Sequence, residues 1–255
     1  MPNLALVTGA SSGIGREIAR EHARRGGDLV VTARRGDALE ALRAELSGVE
    51  VHAVPLDLGA PGGAEALIEA VEALGAPVEV LVNNAGFGGR GVHVERDLAD
   101  ERAMIDLNVR ALVTLTHHFG RAMAARGAGR ILQVGSTAGF APGPQQAVYF
   151  ATKAFVNSYS QAVDHELRPR GVTCTLLAPG YVETEFAERA DLGGTKLTAG
   201  GGATAESVAR FGYEAMMRGE LVAVNDRKVR FAMDWVMPFL PRRRALKLIG
   251  DMQSR

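Results

Sequence analysis

Short runs of Val, Leu, Ile and Ala alternate along this chain with longer segments in which apolar residues recur every three or four positions. The runs Leu4–Val7, Asp28–Thr32, Glu50–Val54, Val80–Val82, Arg130–Val134, Val172–Leu177 and Leu221–Val224 are mostly too continuous for strands with one wet face. They predict a sheet covered on both sides. Helical spacing over Ile14–Arg25, Asp37–Leu46, Ala64–Leu74, Leu98–Ala125, Ala147–Arg168 and Thr204–Arg218 supplies the covers. Strand, helix, strand with right-handed crossovers predicts an α/β fold: a doubly wound parallel sheet of seven strands with helices on both faces, as one domain over residues 1–255.

Two stretches break the alternation. Residues 183–203 contain Gly193-Gly194 and Gly200-Gly201-Gly202 and read as a lid over a site rather than a simple connector. The extension from Asn225 to the end is apolar, then basic at Arg242-Arg243-Arg244, which reads as a solvated helix face or as a contact for an anionic partner. Composition excludes several classes. With 255 residues, 47% hydrophobic and 23% charged, the chain is an ordinary globular protein. Lys+Arg and Asp+Glu balance at 29 each, so no global field draws it to nucleic acid. A single cysteine, Cys174, excludes an internal disulfide and any multi-cysteine metal site, and its apolar run makes it a core filler. The amino terminus lacks the pattern of a secretion signal, and the apolar stretch Phe231–Pro241 is too short to span a bilayer, so a cytoplasmic location is expected.

Directly after the first run comes Thr8-Gly9-Ala10-Ser11-Ser12-Gly13-Ile14-Gly15, leading into a helix. Gly9, Gly13 and Gly15 let the backbone turn sharply and approach a pyrophosphate, while Ser11, Ser12 and Ile14 offer N–H groups at the helix start. About twenty positions on, where an acid would hold a ribose 2′-hydroxyl, stand Ala33, Arg34 and Arg35. Guanidinium groups there favour NADP(H) over NAD(H). Asp37 reads as the N-cap of the next helix. Asp57-Leu58 and Asn83-Asn84-Ala85-Gly86 leave the third and fourth strands at the edge where ligands bind, with Asp57 facing the adenine and Asn83 securing backbone across the sheet.

Ser136 follows the fifth strand, and Tyr149 and Lys153 share a helix face at i and i+4. Lowering a phenol from about 10 by about 3 units requires roughly 4 kcal/mol, which a neighbouring ammonium and a cationic cofactor ring can supply. Ser136 would donate to a carbonyl oxygen as negative charge builds on it. Taken in order, Thr8-Gly9-x3-Gly13-x-Gly15, Asp57, Asn83-Asn84-Ala85-Gly86, Asn108, Ser136, Tyr149-x3-Lys153 and Pro179-Gly180-x3-Thr184 resemble the short-chain dehydrogenase/reductase family over nearly the whole chain. The resemblance implies a Rossmann fold and hydride transfer between a nicotinamide and a carbonyl or secondary alcohol. It also implies that Tyr149 is the general acid/base, that Lys153 lowers its pKa and binds the nicotinamide ribose, and that Ser136 polarises the carbonyl. By the same resemblance Asn108 holds a proton-relay water, and Pro179, Gly180, Val182 and Thr184 lie beside the nicotinamide. The Ala33-Arg34-Arg35 sequence resembles the NADP-preferring branch. Some members of that branch have a basic residue before the second glycine, whereas here the position is Ser12, which leaves Arg34 most of the 2′-phosphate recognition.

The six histidines show no metal-ligand spacing, and no metal is expected. Ala138, Phe140, Gln146, Tyr181 and Phe186 are candidate walls of a largely apolar substrate pocket. They point to a hydrophobic or acyl-type carbonyl, with a 3-oxoacyl carrier-protein reductase, a hydroxysteroid-type dehydrogenase and a broad carbonyl reductase as the rival activities. A catalytically silent NADP(H)-binding regulatory or scaffold protein would not need Ser136, Tyr149 and Lys153 together, and a methyltransferase would not explain Tyr149-x3-Lys153. The long helices Leu98–Ala125 and Ala147–Arg168 carry more apolar residues than one sheet-facing stripe needs. The resemblance makes them a dimer interface, so a homodimer or homotetramer is expected.

Overall fold

The computed structural model describes residues 3–254; Met1, Pro2 and Arg255 of the single domain expected over residues 1–255 lie outside them. In chain order the elements are β1 (Leu4–Thr8), α1 (Gly13–Arg24), β2 (Leu29–Ala33), α2 (Gly36–Glu45), β3 (Val51–Pro55), α3 (Gly63–Glu72) and β4 (Val78–Asn83). There follow α4 (Leu98–Ile105), α5 (Leu112–Arg126), β5 (Gly129–Val134), α6 (Ala147–Leu167), β6 (Val172–Leu177), β7 (Val182–Glu183), α7 (Glu185–Arg189) and β8 (Ala203–Thr204). The chain ends with α8 (Ala205–Met217), β9 (Val222–Ala223), α9 (Arg227–Phe231) and α10 (Arg242–Gln253).

The seven expected runs form one parallel sheet in the order β3-β2-β1-β4-β5-β6-β9. One face packs Ala5, Val7, Leu29 and Val31 against Ile18 of α1, Leu39 of α2 and Val208 and Tyr213 of α8. The other packs Leu4, Leu6, Val30 and Leu81 against Leu67 of α3 and Leu115 and Met123 of α5. Strand side chains alternate between the faces, so both sets must be apolar, which is why the runs are continuous. Strand order reverses between β1 and β4, and the crevice at their carboxyl ends is where such sheets bind ligands.

Two details depart from the expected elements, and a third adds to them. The helix expected over Leu98–Ala125 is interrupted by a π-helical segment, Asp106–Ala111, with Asn108 in it. An inserted residue of this kind re-aims side chains and recurs at functional sites. Asp37 is not an N-cap: α2 already starts at Gly36, and Asp37 stands in its first turn, where a carboxylate still favours the helix dipole. The stretch 183–203, expected as a lid, has β7 and β8 paired as a short parallel ribbon at its root and α7 inside it.

Candidate active site

β1 ends in a turn that only glycine fits. Gly9 has φ +68° and Gly13 φ +55°, and a Cβ on Gly9 would stand 2.7 Å from Asn84 Nδ2. Asn84 locks this turn to the neighbouring strand, its Nδ2 donating to the carbonyl oxygens of Thr8 (2.9 Å) and Gly9 (3.2 Å). The Thr8 hydroxyl in turn accepts from the N–H groups of Asn84 and Ala85, each at 3.0 Å. The backbone-securing role expected of Asn83 therefore belongs to Asn84. Asn83 is still inside β4, and its amide donates to Thr116 of α5 at 2.9 Å. Ser12 is the N-cap of α1 but its hydroxyl does not cap, so the first N–H groups of that helix are left for a ligand.

At the end of β2 the two arginines differ. Arg35 forms a two-pronged ion pair with Glu185 of α7 (2.7 and 3.3 Å) and donates to the Ser11 hydroxyl at 3.3 Å. Exposed Arg34 has no ion-pair partner among the described residues. Asp57 accepts from the Gly59 N–H at 2.9 Å and keeps its second carboxylate oxygen for a ligand, and Leu58 is buried beside it.

Across the crevice, Ser136 leaves β5 and α6 brings Tyr149 and Lys153 to it; all three are buried. Lys153 Nζ donates to the Val134 carbonyl at 2.8 Å and lies 6.0 Å from the centre of the Tyr149 ring. Burial pushes the Tyr149 phenol up to about 12, against a smaller downward pull from the Ser136 hydroxyl. Burial likewise brings the Lys153 ammonium down to about 8. The lowering expected of the phenol calls on the Lys153 ammonium and a cationic cofactor ring together; among the protein's own groups burial dominates the phenol, with Lys153 held by the Val134 carbonyl.

Asn108 Nδ2 donates to the Phe87 carbonyl (2.9 Å) and the Thr152 hydroxyl (3.1 Å), while its Oδ1 accepts from the Phe87 N–H at 3.1 Å. The π segment thus staples the loop after β4 to α6, close to Lys153: a Cβ on Gly86 would lie 2.9 Å from Asn108 Oδ1 and 3.7 Å from Lys153 Nζ. Asn157, which the sequence reading passed over, clamps Ser136 from both sides, donating to its carbonyl at 2.9 Å and accepting from its N–H at 3.4 Å. Its spacing of four from Lys153 and eight from Tyr149 puts it on the same helix face, a signal that was present in the sequence.

The roof comes from farther away. Pro179 accepts from the Thr137 N–H at 3.0 Å, and the Gly180 N–H reaches Asn225 Oδ1 at 3.4 Å. Thr184 caps α7 and sits over the glycine turn, 3.2 Å from where a Gly13 Cβ would be. Phe186 packs against Tyr149 with ring centres 5.3 Å apart. Gln146 donates to Gln253 of α10 at 2.6 Å, both side chains buried. The expected site residues apart from Gly15, Asn83 and Asn108 line one cavity of about 700 Å³, with Ala138, Phe140, Tyr181 and Val182 among its walls. Val229, Met233, Met237, Leu248, Ile249 and Met252 complete it from the carboxyl-terminal extension. No periodicity marked those residues in advance, because they meet the cavity only after the chain has doubled back.

The family model for the short chain dehydrogenases matches residues 3–193. The chain belongs to this family. This dehydrogenase is 40% identical over 189 residues to sulfoacetaldehyde reductase 2 of Chromohalobacter salexigens, a match covering 73% of this chain and 75% of that protein. It is 39% identical over 184 residues to a galactitol 2-dehydrogenase (L-tagatose-forming) of Cereibacter sphaeroides, covering 71% and 72%. Among solved structures it is similar to a short-chain dehydrogenase from Sphingobium yanoikuyae in complex with NADPH, with TM-score 0.84, 34% identity, and 96% and 95% of the two chains covered. It is an oxidoreductase of alcohol and carbonyl groups that works with a nicotinamide cofactor.

The residues present fit such a cofactor. The glycine turn and the uncapped N-terminus of α1 suit a pyrophosphate, and the cavity is continuous from Arg34 and Asp57 to Tyr149 and Lys153. Among the described residues no group of His, Cys, Asp or Glu is arranged to hold a metal ion. Cys174 is fully buried, and burial together with the Asp164 carboxylate pushes its thiol pKa up, as befits a core filler.

Proposed function

We propose that this dehydrogenase uses NADP(H) and works as a reductase of an apolar carbonyl. What carries the reading is the joining, in one cavity, of a buried Ser136–Tyr149–Lys153 cluster to an arginine-bearing cofactor rim on one side and apolar walls on the other. Arg34, free of ion pairs among the described residues, takes the 2′-phosphate, and Arg35 joins it to the extent that Glu185 releases it. The NADPH carried by the Sphingobium yanoikuyae neighbour supports this choice.

When bound, the nicotinamide supplies the hydride. Ser136 and Tyr149 hold the substrate oxygen, and their O–H groups stabilise the charge that builds there. The Tyr149 phenol, kept neutral by burial, gives its proton to that oxygen as the carbonyl becomes an alcohol. Reduction uses the neutral phenol, and alcohol oxidation the phenolate. Lys153, with its ammonium near pKa 8, resupplies the proton and recovers its own near neutral pH. Asn108 fixes the loop at Phe87 on one side of this route, and Asn157 fixes Ser136 on the other.

Tyr181, Phe186, Met233, Met237, Leu248 and Met252 make the walls largely apolar, with Arg189 of α7 lining the cavity over the Phe87 ring at 4.2 Å, and the apolar walls favour a hydrophobic ketone, aldehyde or acyl-type substrate. The catalytically silent alternative has nothing in its favour here. We further propose a cytoplasmic enzyme that forms homodimers or homotetramers, supported by exposed Ile105 and by Phe155 stacked on Tyr159 on the outer sides of the helices expected at the interface. The test is NADPH consumption against carbonyls graded from small and charged to long and apolar. Turnover rising with apolar size supports the reading. Preference for a short anionic aldehyde, or equal rates with NADH, overturns the corresponding part.

A further inference from the structure

The carboxyl-terminal extension turns two faces in different directions. Ala232, Met233 and Met237 line the cavity, whereas their neighbours Phe231, Trp235 and Phe239 are 62%, 66% and 79% exposed. Three large rings on one short stretch outside the core are not ordinary surface. The same region is the basic part of a neutral chain: residues 226–253 hold seven Lys and Arg against three Asp and Glu, while the whole sequence has 29 of each. Lys228, Arg242, Arg243, Arg244 and Lys247 are exposed. The Asp226 carboxylate is engaged as the cap of α9, accepting from the N–H groups of Lys228 (2.8 Å) and Val229 (3.1 Å). No helix of the described residues is long and apolar enough to cross a membrane.

We propose that this face docks the enzyme on an anionic lipid surface. The rings of Phe231, Trp235 and Phe239 sink into the headgroup boundary, and the cations of α9 and α10 lie among the lipid phosphates. Tryptophan suits that depth, having an apolar ring with one polar N–H. The charge argues for lipid over a second copy, since a two-fold contact through this face would bring two net-positive surfaces together. The segment that docks also lines the cavity, so an apolar carbonyl can pass from the lipid into the site without crossing water. This delivery step rests on the substrate class proposed above; the docking does not.

Trp235 is the only tryptophan, so the fluorescence of the full chain reports from the patch itself. The protein is titrated with vesicles of equal parts phosphatidylglycerol and phosphatidylcholine, and with vesicles of phosphatidylcholine alone. The expected result is a blue shift and protection from acrylamide quenching on the anionic vesicles, with affinity lower by about tenfold or more on phosphatidylcholine or in high salt. F231S/F239S should abolish the shift, and R242E/R243E/R244E should weaken it by about tenfold or more, both keeping native circular dichroism and NADPH affinity. Emission unmoved by anionic vesicles overturns the proposal. So does a shift that follows protein concentration without vesicles, which assigns the face to a second copy, or one produced by an acidic carrier protein and not by lipid. The titration needs no turnover, so failure to find an apolar substrate overturns the substrate class and leaves the docking to be decided by Trp235.

Discussion

The floor of the cleft takes Ser136, Tyr149, Lys153, Asn108 and Asn157 from the end of β5, one face of α6 and the π segment, and every one of them is buried. All but Tyr149 are also bonded to backbone groups. The roof is gathered from segments far apart in sequence. Arg90 alone reaches Asp191 of the lid, Gln145 before α6 and Gln253 of α10, and the lid backbone pairs with the tail through Leu197 and Met252 at 3.0 Å. The floor is specified by short spacings and rigid elements, so its geometry is set before any ligand arrives. The roof depends on side-chain ties between loops, which are the parts of a fold that open at low cost. On this contrast, floor substitutions should change the rate and roof substitutions the range of substrates.

The sharpest way to break that contrast is Tyr149→Phe, which should lower kcat by about 10³-fold with NADPH affinity unchanged; a variant of near-normal turnover removes Tyr149 from the chemistry. Next is Arg34→Asp, expected to raise the KM for NADPH by about 30-fold or more while that for NADH stays within a few-fold, because the 2′-phosphate would face a carboxylate in place of a guanidinium. Equal effects on the two cofactors would refute the assignment. Asn157→Leu should lower kcat by about tenfold and cost about 1–3 kcal/mol in a denaturant titration, since it removes both Asn157 contacts to the Ser136 backbone and leaves the carbonyl only the Gly139 N–H, with NADPH affinity kept.

The pH dependence tests the floor without altering its shape. Lys153 has a folded pKa of about 8, below the ordinary value of 10.5, so the unfolded chain binds that proton more tightly and stability rises as pH climbs from about 8 to 10.5. Lys153→Met should therefore be more stable than the parent at pH 7 by about 2 kcal/mol, the lost hydrogen bond to Val134 taking part of the gain, and the difference should vanish above about pH 10.5. The same titration makes reduction by the parent enzyme fall as pH rises through about 8. The smallest effect is expected from the roof: Gln253→Ala, which unties Gln146, should change substrate KM values by about 2- to 5-fold and leave kcat for a small ketone alone.

Sequence alone determined what depends on short spacings. The continuous apolar runs specified a sheet covered on both faces, the glycine turn specified its nucleotide crevice, and Tyr149 and Lys153 were already one helix turn apart. Asn84 in place of Asn83 is the kind of one-residue difference that needs the strand's end to be located, since side-chain direction flips at each position. The π segment at Asn108, the pairing of Gln146 with Gln253, and the doubling back of the tail over the cavity were left to the tertiary structure. So was the state of Tyr149 and Lys153, because burial, which shifts both groups, is a property of everything packed around them and is not written in the three residues that separate them.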